Sequence, residues 1–171
     1  GGKGKLYRDE NLKRFERRKS NMGSDILTIT VPDDYKHNTI TTKSVYKTLS
    51  KNDRGKAVIK YIRDNNVTVI LSYSDPPRPS ILGRVSGENE MTIYVKKTKT
   101  SLETALTIVH ETEHLKINKP NSKWQEQQCF IAERLFLLNK EYLTDSEIVD
   151  IMIKVENAYP GLPEEDDYGY G

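Results

Sequence analysis

One stretch, "TSLETALTIVHETEHLKINKPNSKWQEQQCFIAERLF" (100–136), constrains this chain more than any other. Thr100-Ser101-Leu102-Glu103 is a capping box, in which a Thr hydroxyl and a Glu carboxylate satisfy free amides at a helix start. Leu102, Ala105, Leu106 and Val109 follow at helical spacing, and the turns before His110 are apolar around most of the helix. A helix of this kind is expected to be buried. It is expected to run to about Lys116 and to stop before Asn118-Lys119-Pro120. Yet it carries His110, Glu111, Glu113 and His114. Buried polar groups need partners. The fold must therefore supply them, through a core hydrogen-bond network or through a metal ion.

The spacing favours the metal. His110 and His114 are four apart, so their imidazoles share one helix face with Cβ atoms about 5–6 Å apart. Two such nitrogens fit two corners of a tetrahedral zinc ion. Glu111 projects beside that position, where a carboxylate can take a proton from a zinc-activated water and pass it to a leaving amine. The next helix, opened by Ser122, offers Glu126 and Glu133 as third ligand, seven apart and on nearly the same face. A short loop centred near Pro120 predicts an antiparallel helical hairpin. Mirrored about that loop, Glu126 lies about 3 Å from the level of the histidines and Glu133 about 7.5 Å. Side-chain lean toward each helix N-terminus erodes the difference. Glu126 is the expected ligand and Glu133 the alternative; the other is expected to hold a histidine N–H from behind. Cys129, one turn after Glu126, reads as a small buried hydrophobe behind the site.

The rest of the chain reads as an α+β domain over 24–160. "ILTITV" (26–31) alternates and is β-branched, a strand ended by Pro32-Asp33-Asp34. Asn52 caps a helix through "RGKAVIKYIRD". "VTVILSY" (67–73), apolar on both faces, reads as a central strand. The prolines of "SDPPRPS" (74–80) exclude a ladder there. "ILGRVS" and "MTIYVKK", joined by "GENE", read as a hairpin. Thr144-Asp145-Ser146-Glu147 is a second capping box, opening a last helix that Pro160-Gly161 ends.

With 171 residues, 35% hydrophobic and 30% charged, the chain can build one real core and does not read as wholly disordered. No apolar run approaches the roughly 20 residues of a membrane span. Residue 1 is Gly and no apolar leader follows, as expected of a piece of a longer protein or a processed product. A single cysteine excludes an internal disulfide and a cysteine-cluster metal site. Residues 1–23 form a basic lead-in; within 1–20, eight Lys and Arg stand against three Asp and Glu. Without interleaved aromatics this reads as a solvated lead-in and not as a nucleic-acid platform. Residues 161–171 form an acidic, Gly/Tyr-containing tail. His37 sits in a polar segment and reads as a surface residue, with a substrate-side donor as the other possibility.

Through "ALTIVHETEHL" and "EQQCFIAE" the chain resembles the zincin metallopeptidases, and its glutamate segment is similar to the pattern of small bacterial zincins such as the ImmA/IrrE-type peptidases, where a glutamate precedes a small residue by three. Here those positions are Glu126 and Cys129; the family usually has Ala in the second and a longer gap after the second histidine. Glu133 instead resembles the gluzincin spacing, about 18 residues beyond the second histidine. The resemblance covers roughly 88–138. It implies a zincin-like fold, a Zn2+ cofactor on His110, His114 and Glu126, Glu111 as general base and then acid, and a protein or peptide substrate paired along "MTIYV" (91–95) as edge strand. A tyrosine such as Tyr73, Tyr142 or Tyr159 would assist the carbonyl. The chain is also similar to zincin-type effector domains of bacterial polymorphic toxins and phage-borne proteins. That implies an immunity or inhibitor partner, and either a cytoplasmic or a delivered location. The contrasting expectation is an inactive zincin-fold binding module with a structural metal.

Overall fold

The structure is a computed structural model that describes residues 26–30 and 40–164. The basic lead-in, the 32–34 turn, His37 and most of the acidic tail lie outside the described residues. Within them the chain is α+β, with six helices and one four-stranded mixed sheet.

In chain order the elements are β1 (Leu27–Thr30), α1 (Thr42–Leu49), α2 (Asp53–Asp64), β2 (Thr68–Ser72), β3 (Gly83–Ser86), β4 (Glu90–Tyr94), α3 (Val95–Thr98), α4 (Ser101–Ile117), α5 (Lys123–Leu138) and α6 (Asp145–Ala158). The sheet order is β1-β2-β4-β3. β1 and β4 flank β2 in parallel, and β3 pairs antiparallel with β4 in the register Gly83 to Ile93, Val85 to Met91. The central reading of β2 holds.

The expectation that 91–95 forms the edge strand is wrong. β4 lies between β2 and β3, and the edge is β3. The reason is burial: Met91, Ile93 and Tyr94 of β4 are buried whereas β3 has no buried residue, so the more apolar arm of the hairpin takes the inner position. β3 alternates between half-buried and exposed, as an edge tolerates. Val95 begins α3, so Lys96 and Lys97 lie on a helix. Gly87, at φ +64°, turns the hairpin in a conformation that suits glycine. At the other end, a Cβ on Gly83 would stand 2.8 Å from the Thr107 methyl. That close approach seats the edge strand directly on α4.

Helix starts follow their local chemistry. Asn52 accepts from the Gly55 amide, Ser122 from Gln125, and Thr144 forms the full reciprocal box with Glu147. At α4 only the threonine half forms, with Thr100 accepting from the Glu103 amide at 3.1 Å. Helix α1 escaped the sequence reading although its signal is present: Thr41 and Ser44 form a capping box ahead of Val45 and Leu49. Asn118 and Asn139, both left-handed, close α4 and α5.

The main core lies between the sheet and α1, α2 and α4. Leu27, Val69, Leu71, Met91, Ile93, Ala105 and Ile108 are buried there. A smaller cluster joins Leu135 of α5 to Leu143, Ile151 and Val155. The Asn52 amide donates to the Phe136 carbonyl at 2.9 Å, and Arg54 donates to the Lys140 and Glu141 carbonyls. These bonds fix the far end of α5 and so hold its glutamates against α4.

Candidate metal centre

Helix α4 is buried on nearly every side from Thr104 to Thr112. Its last turns face α5 across the helical hairpin, and there the apolar packing gives way to polar side chains. The Glu126 carboxylate spans the two histidines: Oε1 lies 3.0 Å from His110 Nε2, and Oε2 lies 3.1 Å from His114 Nε2. Glu133 Oε2 sits 2.6 Å from His110 Nδ1, on the opposite side of the ring. His114 Nδ1 is 2.6 Å from Gln125 Oε1, and the Gln125 amide donates in turn to the carbonyls of Lys119 and Pro120. Both rings are therefore gripped at Nδ1 and present Nε2 to the same point. The ring centroids are 5.1 Å apart, and Phe130 stands edge-on to His110 at 4.8 Å.

Burial disfavours the charged form of every group here, and pairing overrides it in three cases. Desolvation works against protonating His110, but the Glu126 and Glu133 carboxylates hold its pKa up at about 10. Burial likewise opposes ionisation of Glu126, yet its bonds to His110 and His114 bring it down to about 2. His114 is raised against its burial by Glu126 and Gln125. Glu111 differs. It is 7% exposed, and no side chain among the described residues hydrogen-bonds it. Burial raises its pKa, and the two histidines only partly offset this.

The arrangement brings together His110, His114, Glu126, Glu133 and Glu111. Two imidazoles and a carboxylate are the donor chemistry of a zinc site. The buried Glu111 carboxylate, with no hydrogen-bonding side chain among the described residues, is the group such a site would leave for water or substrate. The Cys129 sulfur also falls here: it and one ring nitrogen of each histidine lie within 4.8 Å of one another.

No protein-family model, curated protein or solved structure matches the chain. The geometry of the site therefore carries the functional reading by itself. No helix among the described residues is long and apolar enough to cross a membrane.

Of the three tyrosines considered, Tyr73 is buried and its hydroxyl bonds the Ile40 backbone at 3.2 Å, while Tyr142 is exposed. Tyr159, at the end of α6, is half-buried. Burial raises its hydroxyl pKa, and the carboxylates of Glu126 and Glu111 add to the shift. Gln125 and Phe130 were missed by sequence reasoning. Position 125 follows the Ser122 cap with no feature that marks it as a histidine partner.

Proposed function

We propose that this chain is a zinc-dependent metallopeptidase of zincin type, acting on a protein or peptide. The observation that carries the reading is the Glu126 carboxylate spanning the two Nε2 atoms at 3.0 and 3.1 Å. His110, His114 and Glu126 would hold the ion. A zinc ion so held supplies a Lewis acid and makes a water nucleophilic near neutral pH.

The chain's own residues perform the remaining work. Glu133 and Gln125 fix which ring nitrogen of each histidine faces inward. Glu111, buried and with no side-chain hydrogen bond among the described residues, accepts the proton of the attacking water and returns it to the departing amine. Its raised pKa suits both roles, because a base that is too acidic makes a poor proton donor later. The edge strand β3, seated on α4 through Gly83, has no further strand beside it among the described residues, and an extended peptide would add along it as a further strand. Of the three tyrosines, half-buried Tyr159 would be the one to assist the carbonyl oxygen.

The test is metal content and proteolysis on the wild type and on Glu111→Gln. The wild type should carry about one zinc and cleave an unstructured protein such as casein. Glu111→Gln should keep the zinc and lose activity about 100- to 10,000-fold, the range for a general acid–base. Retained activity in that variant removes Glu111 from the mechanism. Absence of zinc after metal is added back removes the peptidase reading.

A further inference from the structure

Cys129 belongs to neither hydrophobic cluster, although it is fully buried. It faces the polar seam one turn beyond Glu126, with its sulfur and a ring nitrogen from each histidine within 4.8 Å of one another. Donor atoms around a tetrahedral zinc are about 3.3–3.8 Å apart for bonds of about 2.0–2.3 Å. Side-chain rotation by about 1 Å therefore brings the sulfur into the set. The Glu126 carboxylate bonds both histidine rings, and Glu111, on the same helix as the histidines, is buried with no side chain among the described residues hydrogen-bonding it. A small hydrophobe does not select such surroundings, whereas a ligand does.

We infer that Cys129 is a fourth protein donor to the metal, completing a set of two imidazoles, one carboxylate and one thiolate with His110, His114 and Glu126. The inference rests on the zinc reading above and adds a regulatory consequence. Four protein donors fill a tetrahedral ion, so the resting centre has no open position. Hydrolysis then requires the sulfur to leave. Ligation balances simply: the S–H bond breaks, the sulfur binds the metal, and the proton goes to solvent.

Cobalt(II) substitution tests this on the intact chain, with optical absorption as the readout. Wild-type protein loaded with one cobalt should show visible d–d bands and a near-ultraviolet sulfur-to-cobalt charge-transfer band. Cys129→Ala should keep the d–d bands, lose the charge-transfer band and bind zinc more than about 10-fold more weakly. Cys129→Ser, closer in shape, should also lose the band, which guards against a packing defect in the alanine variant. Cobalt bound in wild type without a charge-transfer band overturns the inference and leaves the zinc reading standing. Failure of wild type to take up cobalt or zinc overturns both.

Discussion

Two buried regions of this molecule obey different rules. Between the sheet and α4 the core is apolar: Leu71, Met91, Ile93 and Ile108 are fully buried in one hydrophobic cluster. Across the seam between α4 and α5, His110, Glu111, Gln125, Glu126 and Cys129 are equally enclosed. The first region is held by area removed from water, at about 25 cal/mol per Å². The second is held by the charges and hydrogen bonds that join His110, His114, Gln125, Glu126 and Glu133, and it depends on each of these keeping its partner. One helix serves both, with its early turns in the apolar core and its HETEH turns in the seam. Rigid packing of the former fixes the geometry of the latter.

The sharpest way to separate the regions is to damage each in turn. Ile93→Ala should cost about 2–5 kcal/mol of unfolding free energy in denaturant titration, with no dependence on pH. Glu126→Ala should cost the metal-free protein about 3 kcal/mol, near the low end for a broken buried ion pair, because Glu133 still holds His110. That cost should shrink as pH approaches 10, where His110 loses its proton. A pH-independent loss would mean that the seam behaves as ordinary packing.

Smaller effects sharpen the contrast. Glu133→Gln should weaken zinc binding by about 10- to 100-fold while leaving one zinc per chain at saturation, as expected for a group that orients a ligand. Competition with a chelator measures it, and complete loss of zinc would instead make Glu133 a ligand.

The pH dependence of metal-free stability is the most diagnostic effect. His110, raised from 6.5 to about 10, contributes fully below pH 6.5 and loses its contribution as pH rises through about 10. Glu126, lowered from 4.5 to about 2, contributes above pH 4.5 and loses its contribution as pH falls through about 2. Buried Glu111, raised, works against stability above its ordinary value of 4.5. Thermal melts of the metal-free protein should therefore peak between about pH 4.5 and 6.5. Glu126→Ala should flatten that peak, and Ile93→Ala should only lower it. Zinc must displace the His110 proton, so calorimetry in two buffers should detect proton release on binding.

Much of this was legible locally. Asn52, Ser122 and Thr144 announce their helices because a capping bond spans three residues. The helix spacing of His110 and His114, and the hairpin that carries Glu126 and Glu133, follow from a period of 3.6 and a short loop. The box at Thr41 was equally local and was passed over. The position of β4 was not local: the hairpin was readable, but which arm faces β2 depends on a parallel crossover and on cover for Met91 and Ile93.

By itself the sequence determined which side chains are available for chemistry and which helix face carries them, since backbone periodicity leaves no other arrangement. Only the tertiary structure decided that Glu126 bridges the two Nε2 atoms while Glu133 takes Nδ1. It also decided that Gln125 holds His114, that β3 is the edge on α4, and that Cys129 turns into the seam. Each of those outcomes depends on the distance and rotation between separate elements. These are set by the packing of the whole core, which no spacing along the chain encodes.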